Sequence, residues 1–251
     1  MPAFRLHLIC LLALACGTAV AGTPAPTPMH TTTSRPLALV ELFTSEGCSS
    51  CPPADALLAQ LAARSDVLAL SFHVTYWDRL GWRDPYSAEE FTGRQRAYAH
   101  AFGLESLYTP QMVIDGRQQF VGSNRTAAAD AIRAALARPA GADVSVSTHA
   151  SGASIAATVR VEHAAADAVL FVAWVDAERT SAPDRGENDG AHLRHVDVVR
   201  DLERVAFHGG RYEGVVKLTR PQAVAGSVVA WVQRGESGEV LGAQRASVPA
   251  P

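Results

Sequence analysis

Between residues 35 and 139 short apolar runs alternate with helical periodicities, and this alternation restricts the fold more than any other feature of the chain. Residues 37–43 are an apolar run rich in strand formers, closed by the turn-like stretch 44–47. Over residues 53–64, Leu57, Leu58 and Leu61 share one helical face, with Pro53 at the start, where its missing N–H does no harm. Residues 67–74 form a second apolar strand. Ser87-Ala88-Glu89-Glu90 has the form of a capping box, opening a helix that carries Phe91, Tyr98 and Phe102 until Gly103 stops it. Residues 112–114 and 118–121 flank Asp115-Gly116-Arg117, a hairpin signal. Ala128, Ile132 and Leu136 mark a last helix, ended by Pro139. The order is β-α-β-α-β-β-α, with parallel pairing at the front and one antiparallel hairpin.

From about residue 142 the texture changes. Residues 144–147, 155–161, 169–175, 192–199, 212–218, 228–233 and 240–244 read as strands, separated by turn clusters such as Ser151-Gly152 and 183–190. Alternating Ile155, Ala157, Val159 and Val161 give one buried face. Seven short strands in about a hundred residues suit a β-sandwich. A smaller barrel, or strands extending the first domain, are the competing arrangements. The expected division places an α/β domain at 36–140 and an all-β, sandwich-like domain at 141–251, with the boundary near Ala140-Gly141.

The amino-terminal residues belong to targeting rather than to the fold. Arg5 precedes an apolar run at 8–15, and Ala19-Val20-Ala21 supplies a small-x-small cleavage pattern, so residues 1–21 read as a signal peptide. The run is shorter than the roughly 20 apolar residues that a bilayer span needs. Lipidation at Cys16 is the alternative; Ala15 suits it, but Ala13 and Leu14 fit a lipobox poorly. Residues 22–35, rich in Pro and Thr, read as a disordered leader. Export to the periplasm or medium follows. With Cys10 and Cys16 removed, only Cys48 and Cys51 remain of the four cysteines, in a compartment that permits a disulfide. The net charge of −3, with both signs interspersed, argues against nucleic acid as a partner.

Cys48-Ser49-Ser50-Cys51, between a strand and a helix, is a redox-motif signal. A bridge across three residues closes almost no loop and stabilises a chain of this length little, about 2 kcal/mol or less, so its role reads as chemical. The first cysteine, beside a helix N-terminus, gains thiolate character, which makes Cys48 the attacking thiol and Cys51 the resolving one. Pro52 and Pro53 follow directly, and residues before proline avoid the helical region, so the helix is expected to begin at Pro53, with Cys48 less deeply embraced by its dipole.

The stretch ALVELFTSEGCSSCPP at 38–53 resembles the first strand and active-site turn of the thioredoxin superfamily, and Thr109-Pro110-Gln111 resembles its cis-proline loop. More narrowly, LVELFTSEGCSSCPPAD, LSFHVTYWDRLGWRDP, YTPQMVIDG and GENDGAHLRHVDVVR are similar to a secreted bacterial family known as domain of unknown function 1223. The resemblance implies a thioredoxin-like fold and brings no established activity. It implies that Thr109 and Pro110 bind substrate as an added strand, Pro110 following a cis bond. It also implies that Glu41, costly in an apolar strand unless it has work or a partner, moves a proton for the resolving cysteine. Pairing of Glu41 with an arginine is the alternative. His73, ending its strand, either points at the cysteines or is hydrogen-bonded at a core edge. Tyr76, Trp77, Trp82 and Tyr86 form either a packed loop or a recognition lip over the site.

The expectation is an exported thiol–disulfide exchange protein acting on protein or small-molecule thiols and disulfides, needing no organic cofactor or metal. A membrane-bound redox partner would suit it. A peroxidase of the peroxiredoxin type is the nearest rival enzyme, but Glu41 stands near the position where that family places proline. The stronger rival is a binding module: copper capture by Cys48, Cys51 and His73, or a domain for protein contacts with a structural disulfide. His192 and His195, three apart in a strand, face opposite sides and make a poor joint metal site.

Overall fold

The computed structural model describes residues 31–32, 37–222 and 224–250. The signal peptide and Cys16 lie outside the described residues. Within the stretch read as a leader, Thr31–Thr32 is described as a short strand, β1, that pairs antiparallel with Val146 and Ser145.

The amino-terminal part follows the expected order. β2 (Ala38–Thr44) runs parallel to β3 (Val67–His73) and antiparallel to β4 (Gln111–Ile114), which pairs with β5 (Gln118–Val121) through the Asp115-Gly116 turn. Every residue of β2 and β3 is buried, because helices cover both faces; that is why these strands read as continuous apolar runs. Leu57, Leu58 and Leu61 of α1 (Pro52–Ala62) and Ala128, Ala131 and Ile132 of α3 (Arg125–Leu136) pack on Ala38, Val40, Leu42, Met112 and Ile114. Phe91 and Tyr98 of α2 (Glu89–Ala101) pack on the opposite set, Leu39, Phe43, Leu70 and Phe72.

The capping box does not form. Residue Ala88 caps α2 in extended conformation, while Ser87 donates its hydroxyl to Asp78 and to the Asp84 carbonyl. Glu89 is engaged by Thr75 and Arg96 instead of reaching back to the helix start. Tertiary partners outcompete the local cap.

All seven expected carboxy-terminal strands are present and run longer: β6 (Asp143–Ser151), β7 (Ser154–Ala164), β8 (Ala168–Ser181), β9 (Leu193–Ala206), β10 (Gly210–Thr219), β11 (Gly226–Arg234) and β12 (Val240–Val248). Among the described residues they divide between a four-stranded sheet, β1-β6-β7-β10, and an eight-stranded one, β12-β11-β8-β9-β3-β2-β4-β5. The first sheet packs over β8, β11 and β12, with Ile155, Ala157, Val159 and Val161 facing Leu170, Val172, Val228 and Ala230. The carboxy-terminal half is therefore sandwich-like, but its larger sheet is continuous with the amino-terminal one. β9 joins β3 in parallel at Ser71–Val198, and α2 packs on Phe171 and Trp231 as well as on β2 and β3.

Asp115 ties this assembly together at the hairpin turn. Its carboxylate accepts the Leu39 N–H at 2.8 Å and pairs with Arg138 at 2.9 Å, and its carbonyl accepts the Val240 N–H at 3.0 Å. Burial pushes its pKa up to about 6, against the pull of the Leu39 N–H and Arg138. A raised folded-state value means the native protein holds this proton more tightly than the unfolded chain, so its contribution is greatest below about pH 4 and is lost as pH rises towards 6. Asp115→Asn is expected to remove that slope, about 3 kcal/mol at most, in urea denaturation at pH 4 and pH 7. An unchanged difference between the two pH values would refute the assignment.

Candidate functional site

Cys48 and Cys51 form a disulfide where β2 gives way to α1, with their Cα atoms 5.5 Å apart. The helix starts earlier than the sequence predicts. Cys51 itself is helical (φ −78°, ψ −37°), and Pro52 and Pro53 occupy the first positions of α1, where no N–H is needed. The pre-proline restriction is overcome because the turn holds Cys51 on both sides. Its N–H donates to the Cys48 carbonyl at 3.1 Å, and its own carbonyl accepts from Ala54 at 2.8 Å and Asp55 at 3.1 Å. Ser49 and Ser50 are exposed; the cysteines between which they lie are 0 % exposed.

The Thr109–Pro110 bond is cis, as its context predicts. Its loop lies beside the disulfide: the Ser50 hydroxyl contacts Cys48 Sγ at 3.4 Å and reaches the Thr109 carbonyl at 3.5 Å. Trp77, in the 3-10 segment Thr75–Leu80, donates its indole N–H to Thr109 Oγ1 at 2.8 Å. Its Cβ stands 3.0 Å from where a Cβ on Gly47 would be, so the turn before Cys48 has room only for glycine there unless Trp77 shifts. Trp82 donates to Glu46 Oε2 at 2.7 Å. Both tryptophans are half-buried and wall the cysteine turn.

Glu41 is elsewhere. Neighbouring residues of a strand point to opposite faces; Leu42 meets α1, and Glu41 points away from it towards α2. There both its oxygens are held by Arg94, at 2.5 and 2.9 Å, and one accepts the Tyr98 hydroxyl at 2.5 Å. The arginine pairing describes it, and the proton-moving role implied by resemblance has no free carboxylate oxygen to work with.

The ionisable groups gathered near the disulfide come from residues the sequence left scattered. Glu46, Asp55, His73, Asp84 and His195 are all buried. Glu46 precedes Cys48 by two residues, and Asp55 follows Cys51 by one helical turn, on the same face of α1. His195 Nε2 lies 3.3 Å from Glu46 and its Nδ1 3.7 Å from Asp55. The His195 ring meets the His73 ring edge-on, centroids 4.7 Å apart. His73 Nδ1 bonds Asp84 at 2.7 Å, and Asp84 also accepts the backbone N–H groups of Glu46 and Tyr86, each at 2.9 Å. Burial pushes the Asp55 pKa up, opposed by the two histidines. For His73 burial pulls downwards, but the charge and hydrogen bond of Asp84, with Asp55 and Glu46, raise it overall. For Asp84 burial raises, and His73 with the two N–H donors outweighs it, so the value falls. Buried polar atoms of this group, including both His195 nitrogens and His73 Nε2, have no hydrogen-bond partner among the described residues. Such a group can hold and release protons in a space closed to water.

The copper set of Cys48, Cys51 and His73 is not assembled. Cys48 and Cys51 are joined to each other as a disulfide, and among the described residues no three His, Cys, Asp or Glu side chains converge as metal ligands. His192 and His195 do not act together; His195 is buried at the cluster and His192 lies before β9.

Residues 182–191, between β8 and β9, cross the cysteine turn. Glu187 Oε2 accepts the Ser49 N–H at 3.0 Å and its hydroxyl at 2.8 Å. Asn188 Nδ2 donates to the Glu46 carbonyl at 2.8 Å and the Cys48 carbonyl at 2.9 Å. The string GENDGAHLRHVDVVR, noted above for its family character, supplies Glu187, Asn188 and His195 together. That string was the available signal for them.

Fold and site define a mixed α/β protein with an added β layer and a disulfide-bonded Cys-x-x-Cys turn backed by buried histidines and carboxylates. The chain belongs to the family described as "Protein of unknown function (DUF1223)", which matches residues 39–233. It is similar to an Agrobacterium tumefaciens protein of known X-ray structure, with 28% identity and a TM-score of 0.66 over 85% of this chain and 95% of that one. HBP35 of Porphyromonas gingivalis shares 14% identity and a TM-score of 0.60 over 87% of this chain and 77% of that one, a likeness of fold. No curated protein matches the chain.

Proposed function

We propose that this is an exported thiol–disulfide exchange protein whose residues 36–140 form a thioredoxin-like unit, acting on protein or small-molecule thiols and disulfides. The observation that carries the reading is a disulfide at the mouth of α1 placed against the Thr109–Pro110 loop, with Ser50 touching both. The strand order β3-β2-β4-β5, with α1 and α3 on one face and α2 on the other, is the arrangement the resemblance implies. No helix among the described residues is long and apolar enough to cross a membrane. A periplasmic location and a membrane-bound redox partner belong to the same proposal.

In the exchange step a substrate thiolate attacks Cys48 Sγ, the Cys48–Cys51 bond breaks, and Cys51 leaves as a thiolate that takes up a proton. A second substrate thiolate then attacks the substrate sulfur of the mixed disulfide and releases Cys48 as a thiolate, so the substrate pair is oxidised and the protein pair reduced. The same steps in reverse, from the reduced pair, reduce a substrate disulfide such as that of insulin. Asp55, one turn from Cys51 with the pKa of its carboxyl raised by burial, supplies that proton, taking the role resemblance gave to Glu41.

Cys51→Ser is expected to accumulate a mixed disulfide between Cys48 and a partner, resolved by non-reducing electrophoresis and mass spectrometry. Cys48→Ser is expected to lose insulin reduction entirely. The burial of both cysteines favours a second reading, a structural disulfide in a protein-contact domain. That reading takes over if neither trapping nor insulin reduction is seen.

A further inference from the structure

Both sulfur atoms are covered by the chain itself, and the cover has the hydrogen-bonding pattern of a bound polypeptide. The Glu187 carboxylate accepts from the Ser49 N–H, as a substrate carbonyl would. The Asn188 amide donates to the carbonyls of Glu46 and Cys48, as a substrate N–H would. These three backbone groups belong to the turn that carries the disulfide, and the side chains of one short segment satisfy all of them.

The segment is closed on itself as a compact loop. Gly190 N–H donates to the Pro183 carbonyl at 2.9 Å and Ala191 N–H to the Asn188 carbonyl at 3.0 Å, so the loop closes on itself. Gly186 (φ +82°) and Gly190 (φ +76°) hold its bends in the left-handed region. A Cβ placed on Gly186 would meet Trp82 Cβ at 3.7 Å and Gly47 Cα at 3.8 Å, so the strap runs close beside both residues. Ser49 and Glu187 stand at the surface, so the outer latch is wet and the inner one, Asn188, is buried. Contacts of this kind open at low cost compared with the core.

We propose that residues 182–191 are an internal strap over the cysteine turn of the substrate site, displaced by an extended polypeptide that supplies the same donors and acceptors, and that small thiols are excluded because they cannot. This inference rests on the exchange reading and names its substrate class: polypeptides rather than small thiols. The thiol chemistry is the step already given, with the strap lifted before attack on Cys48.

The test uses the full mature chain in its disulfide form. Rates of disulfide reduction are measured with dithiothreitol and with a cysteine-containing extended peptide, for wild type, Glu187→Ala and Asn188→Ala. The variants are expected to react with dithiothreitol at least about tenfold faster, because latch hydrogen bonds are removed, and to gain less with the peptide. Glu187 is at the surface, so Glu187→Ala keeps the test valid if Asn188→Ala folds poorly. Equal dithiothreitol rates in wild type and a folded Glu187→Ala variant overturn the strap, as does an equal gain for both thiols. If no thiol attacks Cys48 in any form, the exchange reading itself fails, which is a different result.

Discussion

Arg94→Met is expected to destabilise the protein by about 3–5 kcal/mol, among the largest losses available to a single substitution here. Arg94 is buried on α2 and bonds Glu41 through two nitrogens, at 2.5 and 2.9 Å, with Tyr98 and Gln233 each at 3.0 Å. Its guanidinium lies 4.6 Å from the Phe171 ring centroid and 5.2 Å from that of Trp231. One side chain therefore joins β2, α2, β8 and β11, which come from both halves of the chain. Methionine retains much of the volume and leaves the Glu41 carboxylate buried without its cation. The double variant Arg94→Met, Glu41→Leu is expected to recover most of the loss, since removing both charges leaves no unpaired ion. Urea denaturation of the two variants decides. If the double variant is no better than the single one, packing rather than the buried charge is at stake. Under the proposed exchange, with Asp55 as proton source, the folded double variant is expected to keep the wild-type pH profile, because Arg94 engages both oxygens of Glu41.

The same residues show where sequence reasoning reaches its limit. The strand–helix order and the Cys48–Cys51 pair are local features, carried by periodicity and spacing, and they are visible in a single chain. Glu41 stood out as a carboxylate in an apolar strand, but the partner that explains it lies 53 residues away on α2. Resemblance supplied a proton role, and geometry supplies an arginine. The buried group of Glu46, Asp55, His73, Asp84 and His195 is spread over 150 positions and assembles only when β9 docks beside β3. One cue was present: His73 ends an apolar strand and His195 lies inside another strand, and two such histidines ask for partners. The continuous eight-stranded sheet was hidden for a similar reason. Its junction is a single parallel pairing, Ser71 with Val198, and leaves no pattern near residue 140. The cap on α2 failed where a local rule met stronger tertiary partners, Asp78 and Asp84 for Ser87.

Asp84→Asn is expected to cost about 3–5 kcal/mol at pH 5 and distinctly less at pH 8.5. Asp84 uses both oxygens: one accepts from His73 and the Glu46 N–H, the other from the Tyr86 N–H. Asparagine has one acceptor oxygen, so at least one of these buried donors loses its partner. The pH dependence follows from the signs of the shifts. The His73 pKa is raised in the folded protein, chiefly by Asp84 against the pull of burial, so its contribution is complete below the unfolded value near 6.5 and fades as pH rises through the folded value. The Asp84 pKa is lowered by His73 and the two N–H donors despite burial, so its contribution is complete above about 4 and fades as pH falls through the folded value. The pair therefore stabilises most between about pH 4 and pH 6.5. Taking the difference between wild type and variant removes the separate slope due to Asp115, which both proteins share. A penalty equal at pH 5 and pH 8.5 would show that His73 carries no proton-linked charge. His73→Gln should then behave identically, since only the hydrogen bonds would remain. With the charge present, the Glu46 N–H and the turn leading to Cys48 are anchored by an ion pair that weakens in alkali, and the cysteine turn loosens with it.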